Sequence, residues 1–242
     1  MNQTRTTLIT GGNSGIGEAL ARRLVERGQR VVSVGLQEPT WTHERLAAYR
    51  ADLTSIDETR AIAQAICRDH VIDGLVHNAG MILPNPLPDA RPEDILTLAQ
   101  LHLGAPVILT QAAMEGMRAR QFGRVVFVSS RAAMGAPTRT AYSATKAGVH
   151  GMARTWALEL ASSGITVNVV APGPILTDNF WSIVPKDSEQ QDRMARNVPV
   201  GRLGSREDVA HAIEFFLDER SDFVTGQVLY VCGGTSLVGL GP

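Results

Sequence analysis

The chain has 242 residues, 44% of them hydrophobic and 19% charged, which suits one α/β domain with a core large enough to need no disulfide staples. A formal net charge of -1 gives no electrostatic case for nucleic acid or an anionic membrane surface, and no run reaches the roughly 18 apolar residues of a membrane span. The two cysteines, Cys67 and Cys232, form no CxxC and join no His/Cys cluster, so no metal site is expected and a reducing compartment is.

The N-terminal "MNQTRTTLITGG" enters an apolar strand at once and leaves no room for a signal peptide, so the expected location is the cytoplasm. "TTLIT" reads as a buried strand. Residues 15–28 read as a helix, with Ile16, Leu20, Leu24 and Val25 on one stripe and Gly28 as its C-cap. "RVVSV" is the second strand and "YRADL" a short third one, followed by a helix over about 55–68. "DGLVHNAG" is a fourth strand running into a turn. A long helical stretch then follows Pro92 up to Arg120. "GRVVFVSS" is the fifth strand, 141–163 a long helix ended by Gly164, "GITVNVVAPG" the sixth strand and "GQVLYVCGG" the seventh.

Alternating strands and helices predict a parallel sheet covered on both faces. Right-handed crossovers make it a Rossmann-like, doubly wound sheet of about seven strands in a three-layer α/β/α domain spanning 1–242. One segment breaks the rhythm. Residues 177–200 are mixed and irregular, with no clear strand, and follow the sixth strand at the edge where such folds bind ligands. A mobile substrate lid is expected there.

"TGGNSGIG" lies directly after the first strand and opens the first helix. Its glycines let the backbone turn tightly and approach a pyrophosphate, and the helix N-terminus offers free N–H groups and partial positive charge. In this setting the turn predicts a dinucleotide site. The choice of cofactor is less clear. The end of the second strand, about Gly35, lacks the acidic residue that holds the NAD ribose, and Ser14, Leu36 and Gln37 lack the cation that an NADP phosphate needs. An unpaired phosphate suffers more than an unpaired hydroxyl, and Glu38 adds negative charge, so the balance tips weakly to NAD. Tyr142 and Lys146, four residues apart on a helix, share a face.

"TGGNSGIG", "HNAG" (His77 to Gly80), "FVSS" (Phe127 to Ser130), "YSATK" (Tyr142 to Lys146) and "NVVAPGPILT" (Asn168 to Thr177) occur in this order. Together, over essentially the whole chain, they resemble the short-chain dehydrogenase/reductase family. The resemblance implies NAD(P)-dependent interconversion of an alcohol and a ketone. Tyr142 would be the general acid/base, with Lys146 lowering its pKa and reaching the nicotinamide ribose, and Ser130 would hydrogen-bond the substrate oxygen. It also implies cofactor contacts from Gly11, Asn13, Ser14, Gly15, Ile16 and Gly17 in the turn, Asp52 and Leu53 at the adenine, and Asn78, Ala79 and Gly80 along the cofactor. Pro172, Gly173, Ile175 and Thr177 would flank the nicotinamide.

Three departures from the family pattern stand out. His102 occupies the position where the family places the asparagine of a proton relay; it either replaces the relay or is simply a helical histidine. Ser130 precedes Tyr142 by 12 residues, one fewer than the commonest spacing; Ser129 restores the count but strand alternation aims it to the other face, so Ser130 with a shortened loop is expected. Arg131 follows where small residues are common, either to meet an anionic substrate or as a subunit-contact or solvated residue.

Phe180, Trp181, Ile183 and Val184 make the lid partly apolar, either to close over a small-molecule alcohol or ketone or to pack the lid down. Family reductases that act on carrier-bound ketoacyl groups have arginines where this chain has Gln121 and Ser163, which weakens that alternative activity. A catalytically silent dinucleotide-sensing protein is the other alternative. By resemblance, the helices at about 99–120 and 141–163 pair across a two-fold axis, so a homodimer or homotetramer is expected.

Overall fold

The computed structural model describes residues 4–237. Seven strands form one parallel sheet in the order β3-β2-β1-β4-β5-β6-β7. They are β1 (Thr6–Thr10), β2 (Arg30–Gly35), β3 (Leu46–Arg50), β4 (Gly74–His77), β5 (Gly123–Val128), β6 (Ile165–Pro172) and β7 (Val228–Val231). β1, β4, β5 and β6 are buried along their whole length, which is why they read as unbroken apolar runs rather than alternating ones. The expected three-layer doubly wound fold is observed.

Each face has its own core. On one, α1 (Gly15–Glu26) and α8 (Arg206–Leu217) bury Leu20, Leu24, Val209 and Ile213 against the sheet. On the other, α2 (Ile56–Asp69), α4 (Ala105–Ala119) and α5 (Thr140–Leu160) bury Ile66, Leu109, Met117 and Val149. Arg23 of α1 donates twice to the Glu214 carboxylate of α8, at 2.9 and 2.7 Å, which fixes the helix that opens on the glycine turn. Strand order reverses between β1 and β4, and the crevice above that switch point is where the site lies.

Four local expectations need correction. The third strand is Leu46–Arg50 rather than "YRADL". Asp52 spends Oδ1 on the Thr54 amide (2.9 Å) and hydroxyl (2.7 Å), so the last residues of that motif form a turn leading to the Ser55 cap of α2. Gly28 stands one residue beyond the C-cap Arg27 of α1, at φ +80°.

The stretch after Pro92 runs as α3 (Pro92–Ala99), a wide π turn at Gln100–Gly104 and α4. By length and composition alone, Pro92–Ala119 would suffice to cross a membrane. In the fold it is a layer helix, with Leu98, Leu101, Leu109 and Met117 buried. Finally, 177–200 holds two short helices, α6 (Asp178–Trp181) and α7 (Glu189–Arg196), each begun by a side-chain cap, from Thr177 and Ser188.

Candidate active site

The C-terminal ends of the strands enclose a cleft of about 650 Å³. Its floor is the glycine turn. Gly11, Ser14, Gly15 and Ile16 line it, and Ser14 makes no side-chain cap bond, so the first N–H groups of α1 stay free for an anion. Gly15, at φ +54°, has no atom nearer than the Thr177 methyl at 3.8 Å from a would-be Cβ, so its backbone stands open to a ligand. Gly17 serves packing instead, because a Cβ there would run into the Gly11 carbonyl. The next wall is stitched to this turn. The Thr10 hydroxyl accepts from the amides of Asn78 and Ala79, both at 3.0 Å, while Asn78 Nδ2 donates to the carbonyls of Thr10 and Gly11 at 3.0 and 3.1 Å.

Asn78, Ala79, Gly80, Pro172, Gly173, Ile175 and Thr177 also line the cleft, beside the floor that suits a dinucleotide diphosphate. Three further sequence candidates do not. Asn13 is buried, accepts from Ser33 Oγ and donates to the Gln37 carbonyl, and so ties the turn to the end of β2. Asp52 belongs to its own turn, and Leu53 is a core residue.

Ser130, Tyr142 and Lys146 meet on the same cleft. Ser130 leaves the end of β5 and caps a 3-10 turn, accepting from the Ala132 amide at 3.1 Å. Its hydroxyl lies beside the Tyr142 phenol, near enough to act on its ionisation. Burial pushes that phenol above its ordinary value, and the Ser130 hydroxyl and nearby Arg139 offset part of the rise. Ser129 points away, as strand alternation requires: it donates to the Lys146 carbonyl at 2.9 Å and meets His150 Nε2 at 2.9 Å. Lys146 Nζ donates to the Val128 carbonyl at 2.8 Å and lies 5.7 Å from the Tyr142 ring centre. Burial lowers its pKa to about 7.

Behind Lys146 lies a second, much smaller cavity of about 10 Å³, lined by Thr10, His77, His102 and Lys146 among others. His102 Nδ1 is 2.9 Å from Thr145 Oγ1. That hydroxyl already donates to the helix carbonyls of Ala141 and Tyr142, at 3.0 and 3.2 Å, so it accepts from His102 Nδ1–H. His102 Nε2 is therefore the bare acceptor, buried and without a protein partner. The empty point where a Cβ on Gly80 would sit is 3.1 Å from this Nε2 and 3.3 Å from Lys146 Nζ. Burial, then the lysine charge, pulls the His102 pKa down to about 2. His77 bonds Thr110 Oγ1 at 3.0 Å, its Nδ1 is likewise orphaned, and burial takes its pKa to about 3.

Sequence reading missed several cleft residues: Arg139, Met194, Asn197, Val198 and Thr235. Only Arg139, three residues before Tyr142, carried a signal in its position. Met194 and Val198 arrive through α7 and its exit, and Thr235 through the segment after β7.

A family model described as enoyl-(acyl carrier protein) reductase matches residues 11–236. The chain is 39% identical to the (2S)-[(R)-hydroxy(phenyl)methyl]succinyl-CoA dehydrogenase subunit BbsD of Thauera aromatica, over 97% of this chain and 98% of that one. It is 35% identical to the 3-oxoacyl-[acyl-carrier-protein] reductase FabG of Haemophilus influenzae, over 97% and 99%. A 3-oxoacyl (acyl-carrier-protein) reductase from Agrobacterium tumefaciens, solved with NADP bound, superposes with a TM-score of 0.87 at 28% identity, over 95% of this chain and 93% of that one. The chain thus belongs to the short-chain dehydrogenase/reductase family and is an NAD(P)-dependent oxidoreductase.

Proposed function

We propose that the protein interconverts a small-molecule ketone and its alcohol, with Tyr142 as the proton donor or acceptor. The observation that carries this reading is the convergence of Ser130, Tyr142 and Lys146 on the cleft whose floor is the glycine turn. NAD(P)H, when bound, supplies the hydride. Ser130 donates a hydrogen bond to the carbonyl oxygen and steadies its developing charge. Tyr142 delivers the proton to that oxygen. Burial keeps the phenol protonated at neutral pH, which suits it as the acid of a reduction. Lys146, with a pKa near neutrality, is placed to return the proton.

His102 acts through Lys146 as a positioning residue. Its bare Nε2 accepts from one water that also meets the lysine, and the small cavity has about the volume one water needs. NAD is the preferred cofactor. A 2′-phosphate would meet exposed Leu36 and the segment of Glu38; Arg50, paired with Gly35 in register, is the cation that would favour NADP instead. Reduction of 3-oxoacyl groups is the second reading, favoured by the 35% identity to a carrier-protein reductase and opposed by Gln121 and Ser163. The protein works as a homo-oligomer, in the cytoplasm; Leu158, 85% exposed on α5, is an apolar group such a contact would cover.

The test is a panel of neutral ketones assayed with NADH and with NADPH, in parallel with calorimetric binding of each cofactor. Cofactor-dependent formation of the alcohol supports the reading. Tight cofactor binding with no turnover across the panel would leave the silent sensing role instead.

A further inference from the structure

The reactive end of the cleft carries charge that the mechanism does not use. Arg131 and Arg139 both line it, one directly after Ser130 and one three residues before Tyr142. Among the described residues, neither forms a salt bridge. Arg139 Nη1 reaches only neutral oxygens, the carbonyl and hydroxyl of Thr138. Other arginines of the chain are unpaired too, at the surface; what sets Arg131 and Arg139 apart is that both line the cleft beside the reacting residues.

The backbone holds Arg139 there at a cost. Thr138 sits at φ +62°, a left-handed conformation that a β-branched residue rarely adopts. It is pinned by the Asn85 amide, which donates to the Thr138 carbonyl at 3.0 Å, while Asn85 Nδ2 donates to Asp94 at 3.1 Å. Strain of this kind persists where the surroundings over-determine it, and here its product is the placement of the next side chain at the cleft. The one carboxylate among the described lining residues is Asp178, exposed at the start of α6. Among the described residues it forms no salt bridge with either arginine. Near the lid the lining is mainly apolar, from Ile82, Phe180, Ile183, Val184 and Met194, with the neutral amides of Asn179 and Asn197 among them.

We propose that the substrate is a keto acid (or the corresponding hydroxy acid) whose carboxylate is gripped by Arg131 and Arg139 while its apolar body lies under the lid. The proposal rests on the ketone-reductase reading and names the substrate class of that same site. The balance of the reaction is unchanged. The carbonyl carbon gains the hydride of NAD(P)H, its oxygen gains the Tyr142 proton, and the carboxylate keeps its charge throughout. A guanidinium grips a carboxylate with two parallel N–H bonds, which an amide of the same shape cannot match.

The experiment is a calorimetric comparison of two non-reacting probes, 4-phenylbutyrate and 4-phenylbutanamide, on wild type loaded with NAD+ or NADP+, whichever binds. The carboxylate is expected to bind at least about tenfold more tightly than the amide. That preference should collapse in the Arg131→Gln/Arg139→Gln double variant and return in part in Arg131→Lys/Arg139→Lys. Cofactor binding by the double variant checks that it is folded, and the wild-type comparison stands whether or not it is. Equal affinities for the two probes in wild type would overturn the proposal, as would a preference that survives the double substitution. Because this readout needs no turnover, it separates from the parent reading. Neutral ketones reduced without any carboxylate preference would sink the keto-acid class alone. Carboxylate preference in a protein that reduces nothing would sink the reductase reading alone.

Discussion

The two cavities on either side of Lys146 follow opposite rules. The cleft in front is wide, rimmed by two short helices, and lined by groups with free hydrogen-bonding capacity. The compartment behind is about one water in size, and its imidazoles are held neutral by burial. A substrate oxygen needs access and a donor that can rearrange around it. A relay needs the reverse, fixed acceptors screened from bulk solvent. Lys146 is the one titratable side chain among the described residues that border both, which is why its burial and near-neutral pKa matter more than those of any surface lysine.

The contrast is best broken from the middle. Apart from the tyrosine itself, Lys146→Met should have the largest effect, a loss of about 10²- to 10⁴-fold in kcat, read in a ketone-reduction assay. Ser130→Ala should lose about 10²- to 10³-fold in kcat, whereas Ser129→Ala, whose bonds go to the Lys146 carbonyl and His150, should lose far less. Equal losses from the two serines would mean that the cleft and the helix contact had been assigned to the wrong residues.

His102→Leu should cost about tenfold, one hydrogen bond's worth, and move the limb of the kcat/KM pH profile that titrates near 7. His102→Gln, which keeps an acceptor, should restore much of both. A profile identical to wild type in His102→Leu would confine that histidine to packing.

The smallest effect is on stability. His102 and His77 protonate near 6.5 when unfolded but only near about 2 and about 3 when folded. Between those values the unfolded chain binds more protons, so stability falls as the pH drops below about 6.5. Each histidine contributes a slope of about 1.4 kcal/mol per pH unit. Urea melts at several acidic pH values should show a shallower slope in His102→Gln.

The fold was legible because its signals are strong and local. Buried parallel strands are continuous apolar runs, and the glycine turn sits between a strand and a helix by necessity. The choice of Ser130 over Ser129 followed from strand alternation, and the shortened loop is taken up at Gly135 and Thr138, both at positive φ. The two short helices α6 and α7 were missed because four and eight residues, with no buried side chain in either, leave no apolar periodicity to read; only their caps, Thr177 and Ser188, mark them. "YRADL" misled because Asp52 is turn chemistry beside a strand-like tyrosine. Spacing also cannot say what a side chain touches. Asn13 lies inside the glycine motif yet turns toward Ser33, and Arg139 lies outside every motif yet faces the cleft.

The central claim is that Tyr142 moves the proton while the rest of the cleft only holds the cofactor and substrate. Its most direct test is Tyr142→Phe, measured by ketone reduction and by cofactor titration on the same preparation. The account predicts a loss of at least about 10³-fold in turnover, within the range of general acid catalysis, with cofactor affinity nearly unchanged. Turnover within about tenfold of wild type at full cofactor occupancy would contradict it.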